Sequence, residues 1–252
     1  MSGRLENKIA IVLGGSRGIG KAVVEVFVRE GAQVVLADIN TELGETVARA
    51  FPGRVKFINA DISSRADMQA LMTRTTEIHG RIDVLAQVAG IYPLNPIEKI
   101  SEAEWDRVLA VNLKGPFLAI QACFPIMKRQ RYGRIVLTGS ITGPLVSYPD
   151  HAHYSASKAG LEGLARCAAL EGAAHGITVN VVEPGNVDTE NVRAECGDAV
   201  MDKMAESAPL KRLALPSEVG ESIAFLASDA AAYITGRSLV LDGGQTLPEG
   251  KL

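Results

Sequence analysis

The sequence has few cysteines, few aromatic residues and no large charge excess. Its three cysteines, Cys123, Cys167 and Cys196, form neither a disulfide framework nor a metal site, so we expect a reducing compartment. The net charge of −3 at pH 7 argues against a nucleic-acid partner. No apolar run reaches the roughly 20 residues of a membrane span, and residues 1–7 are polar rather than typical of a secretory signal. These absences predict a cytoplasmic protein that binds neither nucleic acid nor membrane.

Apolar residues are abundant, at 47% of the 252 residues, and they occur in short runs. Runs typical of buried strands lie at 9–13, 33–37, 55–59, 82–88, 134–138, 178–182 and 238–241. Helical patterns separate them, and there is no linker, repeat or change of composition. The alternation predicts one α/β domain over 1–252: a doubly wound, parallel, seven-stranded, Rossmann-like sheet with helices on both faces. Ligands of such sheets bind beyond the carboxyl ends of the strands.

A glycine-rich segment follows the first predicted strand. Gly14, Gly18 and Gly20 separate that strand from a helical pattern, which is the context of a phosphate site, because the backbone approaches a pyrophosphate and the helix offers free N–H groups. Asp38 ends the second strand, where a ribose hydroxyl needs an acceptor. We expect NAD rather than NADP, because the Asp38 carboxylate would repel a 2′-phosphate. Arg17 favours the phosphate, but an exposed ion pair contributes only about 0–1 kcal/mol.

A tyrosine and a lysine lie one helical turn apart in the pentad Tyr-Ser-Ala-Ser-Lys. Tyr154 and Lys158 are at i and i+4, on one helix face. An ammonium there is expected to favour the phenolate and to lower the pKa of Tyr154, which would make it a general acid/base near neutral pH. Ser140, fourteen residues upstream of the tyrosine, is expected to hold a substrate oxygen beside the phenol.

These motifs resemble those of the short-chain dehydrogenase/reductase family, over residues 8–244. The glycine spacing is that family's, and 184–189 is similar to its nicotinamide-contacting stretch. The residues that match its catalytic tetrad are Asn112, Ser140, Tyr154 and Lys158. The resemblance implies hydride transfer between a nicotinamide and a secondary alcohol or ketone. Tyr154 would exchange the proton, Lys158 would also bind the nicotinamide ribose, Ser140 would orient the substrate oxygen, and Asn112 would hold a water.

The residues expected to bind the dinucleotide lie in the glycine turn and at strand ends: Gly14, Ser16, Arg17, Gly18, Ile19, Gly20, Asp38, Ile39, Asp61, Ile62, Ala89, Gly90, Tyr154, Lys158, Pro184, Gly185, Val187 and Thr189. For Asp61 an alternative role is the N-cap of the next helix. The residues expected around the substrate are Ser140, Thr142, Tyr148, His151, Tyr154 and Asn186. This polar set favours a polyol, a sugar or a ring diol. No metal is expected, because His151 and His153 alone are too few ligands.

Gln87-Val88-Ala89-Gly90 departs from the family's Asn-Asn-Ala-Gly and puts the hydrogen bonding there in doubt. Helix 153–174 is rich in small residues, which indicates either close packing on its own sheet or, as the family implies, an interface of a homotetramer. The resemblance also implies that 188–209 is a mobile substrate lid, the alternative being an ordinary surface helix.

Two other functions remain open. A 3-oxoacyl-[acyl-carrier-protein] reductase would use Arg129 and Arg131 to dock an acidic carrier, although such reductases usually take NADPH, which Asp38 opposes. The alternative for this basic run is a solvated helix end. A non-catalytic dinucleotide-binding regulator would share the fold, but a sensor needs no proton relay, and the complete tetrad argues against it.

Overall fold

Seven parallel strands form the sheet at the centre of the computed structural model, which describes residues 3–247. The strands are β1 Ile9–Leu13, β2 Gln33–Asp38, β3 Val55–Asn59, β4 Val84–Gln87, β5 Gly133–Thr138, β6 Ile177–Pro184 and β7 Ser238–Leu241. Their spatial order is β3-β2-β1-β4-β5-β6-β7. The predicted fold class is confirmed, with β4 shorter than its apolar run and β6 longer, because the end of β6 pairs with β7 as far as Pro184.

Helices cover both faces of the sheet. They are α1 Gly18–Arg29, α2 Thr41–Ala50, α3 Arg65–His79, α4 Glu102–Leu109, α5 Gly115–Gln130, α6 Ala152–Ala173, α7 Glu190–Cys196, α8 Asp198–Ser207 and α9 Pro216–Ala227. A π-helical turn, Ala110–Lys114, joins α4 to α5. The predicted helix 153–174 is α6, and the predicted lid region contains α7 and α8.

Two apolar layers hold the helices to the sheet. In β1, Ile11 and Leu13 face the layer formed with α3, α5 and α6, while Ala10 and Val12 face the layer formed with α1 and α9. Every residue of β1 is buried, which explains why the strand is an unbroken apolar run rather than an alternating pattern.

The strand order reverses between β1 and β4. From β1 the chain moves outward to β3, then crosses to β4 on the other side of β1 and continues outward to β7. A crevice opens at such a reversal, beyond the carboxyl ends of the strands. The glycine turn after β1 and residues 88–90 after β4 therefore face each other.

One helical stretch, Glu102–Gln130, is long and apolar enough by length and composition to cross a membrane, which the apolar runs in the sequence did not indicate. Its mean hydropathy is 1.3, and 44% of the window is buried inside the fold. Leu118, Cys123 and Met127 of this stretch belong to the core. Core helices satisfy the same test, so it is weak support for a membrane span.

Candidate active site

The glycine turn brings backbone against backbone at the crevice. Gly14 has φ +81°, and a Cβ there would lie 2.6 Å from the backbone of Ala89. A Cβ on Gly20 would lie 1.8 Å from the carbonyl oxygen of Gly14. Both positions therefore require glycine, because any side chain would push the turn apart.

The N-terminus of α1 keeps its N–H groups free of side-chain caps. Its N-cap is Arg17, which makes no capping hydrogen bond, and there is no acidic residue in the first turn. By contrast, the side chains of Asn40, Ser64 and Ser101 cap α2, α3 and α4. Free N–H groups and the positive end of a helix dipole suit a pyrophosphate. The turn therefore fits a dinucleotide.

The Asp38 carboxylate is held at the carboxyl end of β2. Its Oδ2 accepts hydrogen bonds from Ser16, at 3.2 Å from the backbone N–H and 2.5 Å from the hydroxyl, and its Oδ1 accepts one from the N–H of Asn40 at 3.0 Å. A carboxylate has about four lone-pair sites, so Oδ1 keeps capacity for a further donor. The arrangement places an oriented anion next to the glycine turn.

The Arg17 side chain contacts α7 in the predicted lid region. Its Nη1 donates to Oδ1 of Asn191, on α7, at 3.3 Å. The cation beside the glycine turn therefore has a partner in the 190–196 helix.

Three of the residues expected to bind the dinucleotide, Ile39, Asp61 and Ile62, have different environments. Ile39 is 70% exposed, while Ile62 is buried and packs closely under Gly115. Asp61 accepts hydrogen bonds at Oδ1 from the N–H and hydroxyl of Ser63, at 2.8 and 2.7 Å. The alternative role for Asp61 was wrong, because the N-cap of α3 is Ser64.

Tyr154 and Lys158 lie together on α6, one turn apart. The Lys158 Nζ donates to the backbone oxygen of Thr138 at 2.7 Å and lies 5.6 Å from the centroid of the Tyr154 ring. Burial lowers the pKa of Lys158 to about 8. Burial raises the pKa of Tyr154 to about 12, although the Ser140 hydroxyl lowers it in part. The expected lowering of the tyrosine pKa by the lysine is therefore corrected: Lys158 is anchored on β5, Ser140 rather than Lys158 is the group that lowers the pKa of Tyr154, and desolvation outweighs it.

Asn112 lies in the π-helical turn and is fully buried. Its Oδ1 accepts the N–H of Ile91 at 2.9 Å, and its Nδ2 donates to the oxygen of Ile91 at 2.8 Å and to the Ser157 hydroxyl at 3.2 Å. A Cβ on Gly90 would lie 3.4 Å from Asn112 Oδ1 and 3.7 Å from Lys158 Nζ, so both side chains reach the same glycine. The asparagine ties the loop after β4 to α6.

Ser140 follows β5 and is held by the next turn of chain. Its Oγ accepts the N–H of Thr142 at 3.1 Å, which leaves the hydroxyl proton for another acceptor. The bond comes from the backbone of Thr142, a residue that is itself buried.

Aromatic rings surround the phenol on the substrate side. The His151 ring lies 4.2 Å from that of Tyr148 and 5.5 Å from that of Tyr154, the latter edge-on. His151 is buried while Tyr148 is 57% exposed, so Tyr148 is the outer of these two rings. Burial lowers the pKa of His151, which favours a neutral imidazole at neutral pH.

Asn186 contacts α8 in the predicted lid region. Its Nδ2 donates to the oxygen of Met204 and to the hydroxyl of Ser207, both at 3.3 Å on α8. A direct contact of Asn186 with the substrate stays a prediction. Arg193 of α7 pairs with Asp188 and Asp198, both at 2.8 Å, and so braces the same region.

The other predicted cofactor residues lie along the same edge. Pro184 ends β6 and Gly185 follows it, Val187 bridges to Ala214, and Thr189 caps α7 through its hydroxyl. The Cγ2 of Thr189 is 3.6 Å from the position of a Cβ on Gly18, so the lid begins against the glycine turn.

Gln87 stands where the family pattern has asparagine, and its side chain makes a hydrogen bond within the same segment. Its Nε2 donates to the oxygen of Ala89 at 2.5 Å, while its Oε1 is buried without a hydrogen-bond partner among residues 3–247. The segment keeps its shape beside the glycine turn, at the cost of one unpaired acceptor.

The basic run at 128–134 lies at the opposite edge of the sheet. It runs from the end of α5 into the first two residues of β5, whereas Ser140 follows β5, and this six-residue strand separates the two edges by about 20 Å. Arg134 is buried and donates to the oxygens of Gly133 and Gly176. Arg131 donates to the oxygen of Ala174 at the end of α6. The run therefore braces the amino edge of the fold.

Sequence reasoning missed several groups that hold the tetrad. They are Ile91, Thr138 and Ser157, together with Asn95 and Glu104, which connect to His153. Only Ser157 carried a signal, because it lies inside the Tyr-Ser-Ala-Ser-Lys pentad. The others act through backbone atoms or across long sequence separations.

Fold and site together define a dinucleotide-dependent α/β enzyme, and comparison with known proteins specifies the family. A family model described as enoyl-(acyl carrier protein) reductase matches residues 14–246. Oxidoreductase UcpA of Salmonella typhimurium is 40% identical over 257 residues, covering 98% of this chain and 97% of that protein. The chain belongs to the short-chain dehydrogenase/reductase family, whose members bind a nicotinamide cofactor, and it is an oxidoreductase of that family.

Other relatives show the breadth of that similarity. The 3-oxoacyl-[acyl-carrier-protein] reductase FabG of Thermotoga maritima is 37% identical over 96% of this chain and 98% of its own length. The NAD-dependent glycerol dehydrogenase of Listeria innocua is 34% identical over 96% and 95%. The crystal structure of gox2181 matches with a TM-score of 0.93 and 33% identity, covering 97% of this chain and 98% of that one.

Proposed function

We propose that this protein is an NAD(H)-dependent dehydrogenase/reductase of secondary alcohols and ketones, acting on a small polar substrate in the cytoplasm. One observation carries the proposal: Ser140, Tyr154 and Lys158 lie at the carboxyl edge of the sheet that also holds the glycine turn and Asp38. A proton donor, a cation and a dinucleotide cradle at one crevice are the requirements of hydride transfer to a carbonyl.

The chain's own residues would handle the substrate oxygen and its proton. Ser140, fixed by the Thr142 N–H, would donate a hydrogen bond to that oxygen, and Tyr154 would give it a proton as the carbonyl is reduced. A pKa of about 12 keeps the phenol protonated at neutral pH, which suits a proton donor. Lys158, anchored on β5, would stabilise the phenolate left behind. The nicotinamide, when bound, supplies the carbon that carries the hydride and, when oxidised, a positive charge.

The preference for NAD(H) over NADP(H) rests on the charges around the adenosine ribose. Asp38 presents an oriented carboxylate, whereas Arg17 is engaged with Asn191 of the lid. A 2′-phosphate would meet the anion without a nearby free cation from the glycine turn. At 4 Å and an effective dielectric of about 20, the repulsion of two unit charges is about 4 kcal/mol. The NAD-dependent glycerol dehydrogenase of Listeria innocua lends support as a relative.

The test is a screen of polyols, sugars, ring diols and other secondary alcohols, monitored by NADH and NADPH formation. We expect turnover with NAD, and a lower kcat/KM with NADP for the same substrate. Asp38→Ala should bring the kcat/KM values for NAD and NADP closer together. Arg17→Ala, the matched control at the other side of the turn, should leave the ratio of the two values close to wild type. Equal kcat/KM values for the two cofactors in the wild type would contradict the cofactor assignment.

The same screen, extended to acyl-carrier-protein thioesters and monitored there by NADH and NADPH consumption, separates the alternatives. Cofactor binding with no turnover on any substrate would support a non-catalytic regulator. Preferential turnover of an acyl-carrier-protein thioester with NADPH would support the reductase alternative, for which the FabG relative is the argument. The basic run does not help that alternative, because it lies at the edge of the sheet remote from Ser140.

We also propose a homotetramer that uses the outward faces of α5 and α6. Leu170 is 81% exposed and Phe117 is 41% exposed, and a groove of about 620 Å³ includes Leu113, Phe117 and Leu164 among its lining residues. Ala169 of α6, another small residue of this helix, is a core residue and therefore not a probe of this face.

Leu170→Arg should weaken association by placing a charge on that face. Light scattering at fixed protein concentration measures the association, with Leu43→Arg as a control on α2, which packs on β2 and β3 at the other edge of the sheet. A wild-type monomer at micromolar concentration would overturn the tetramer.

A further inference from the structure

The residue before the proposed acid, His153, is fully buried and bonded on both ring nitrogens. Its Nδ1 accepts the backbone N–H of Tyr154 at 2.9 Å, and its Nε2 lies 3.0 Å from Oε1 of Glu104. Because Nδ1 acts as an acceptor, the proton of the neutral ring is on Nε2, from where it is donated to the carboxylate.

The first turn of α6 has no side-chain capping bond from its N-cap residue, and His153 supplies an acceptor there. The first N–H groups of a helix have no intrahelical partner, and the N-cap of α6, His151, makes no side-chain capping bond. The imidazole of His153 satisfies the N–H of Tyr154 from inside the first turn. The start of α6, and with it the origin of the tyrosine side chain, is thereby tied to the ring of its neighbour.

Glu104 connects this ring to two other segments. It lies in the first turn of α4 and accepts from Nδ2 of Asn95 at 3.1 and 2.8 Å. The backbone N–H of Asn95 donates to the oxygen of Asp150 at 3.0 Å, just before α6. The network therefore joins the loop after β4, α4 and the start of α6.

The backbone of Tyr154 is held on its other side as well. Its carbonyl oxygen accepts the Ser157 hydroxyl at 2.7 Å, and Ser157 is in turn bonded to Asn112. Two hydrogen-bond networks, one through Glu104 and one through Asn112, thus hold the backbone N–H and the backbone C=O of Tyr154.

We propose that His153, oriented by Glu104, is a positioning residue that fixes Tyr154 relative to Ser140. This inference rests on the proposed function, because the rate it affects is that of proton exchange at the substrate oxygen. Removing the bond between the His153 ring and the Tyr154 N–H frees the start of α6. A misplacement of the Tyr154 hydroxyl by about 1 Å lowers the rate on the order of 10²-fold. Cofactor affinity depends on other groups and should not change.

The test uses substitutions that retain one ring contact at a time. In His153→Asn the amide oxygen takes the place of Nδ1 and keeps the bond to the Tyr154 N–H. In His153→Gln the terminal amide takes the place of Nε2 and keeps only the contact with Glu104. His153→Leu keeps neither, and His175→Leu, beyond the far end of α6, is the matched control. Glu104→Gln removes the charge of the partner while leaving the ring in place.

Two readouts are needed. Amide hydrogen exchange at Tyr154, followed by NMR, reports whether the backbone N–H of Tyr154 is hydrogen-bonded, and it requires no turnover. We expect fast exchange in the Leu and Gln variants and protection in the Asn variant, the Glu104→Gln variant and the His175 control. Steady-state kinetics should show kcat lowered about 10- to 100-fold in His153→Leu, with unchanged NADH affinity and a larger solvent deuterium isotope effect, and substantial rescue by Asn.

The outcomes distinguish this inference from the proposed function. If the wild type turns over no alcohol while Tyr154 exchange still follows the pattern above, the proposed function fails and the positioning contact stands. If the wild type is active and His153→Leu matches its kcat, or if Asn and Leu lose activity equally, the positioning role is wrong. Should His153→Leu fail to fold, the comparison of Asn with Gln decides the question alone.

Discussion

A buried acid on β6 makes the stability of this protein depend on pH in an unusual direction. Glu183 is 1% exposed, and neither carboxylate oxygen has a hydrogen-bond partner within residues 3–247. A second acid, Glu162 on α6, is bonded to Arg166 at 3.1 Å and to the Ser238 hydroxyl at 3.0 Å. Two carboxyl groups thus share one side of the sheet, and only Glu162 has a cation.

The two acids respond differently to folding. Burial raises the pKa of Glu183 from 4.5 to about 7, and the neighbouring charge of Glu162 adds to that rise. Burial also acts on Glu162, but its bonds to Arg166 and Ser238 lower its pKa overall. Because the folded state holds a proton on Glu183 that the unfolded chain releases, its contribution to stability is fully present below pH 4.5 and is lost as pH rises through about 7.

Replacing Glu183 with glutamine removes that titration. A pKa rise from 4.5 to about 7 corresponds to about 3 kcal/mol, so the variant should gain about 2–3 kcal/mol of unfolding free energy relative to wild type between about pH 5 and about pH 8.5. Urea unfolding at several pH values, at one protein concentration, measures the difference, and the titration of every other group cancels in it.

The control is Glu77→Gln, the same substitution at an exposed position on α3. A constant difference for Glu183→Gln over the same range would show that Glu183 ionises normally and would refute the reasoning. A difference that falls with rising pH would reverse the sign and refute it as well.

Two further predictions concern the site. Tyr154→Phe should reduce turnover on the order of 10²–10⁴-fold while NADH binding stays near wild type, because only the proton donor is lost; a loss below about tenfold would remove Tyr154 from that role. Gly20→Ala should abolish cofactor binding, measured by NADH fluorescence, because its Cβ would overlap the carbonyl oxygen of Gly14. The control Gly163→Ala, at a helical position of α6 where nothing lies within 4 Å of the Cβ, should leave binding intact, and normal NADH affinity in Gly20→Ala would mean that the turn tolerates displacement.

The local elements of this fold could be predicted because their causes are local. Unbroken apolar runs mark strands buried on both faces, and the run at Ile9–Leu13 gave its bounds without error. The glycine turn is required by close contacts within a strand–turn–helix unit, as at Gly20 and Gly14. The pairing of Tyr154 with Lys158 follows from helix geometry alone.

Tertiary structure decided the properties that depend on distant neighbours. The pKa of Tyr154 rises because packing removes water from the phenol, and the hydrogen bond with Ser140 offsets only part of that rise. Arg17 turns to Asn191, 174 residues away, so its charge goes to the lid. His153 meets Glu104 across 49 residues. The sequence determined which groups are present at the crevice. Their protonation, orientation and partners depend on desolvation and on hydrogen bonds between segments that only the folded chain brings together.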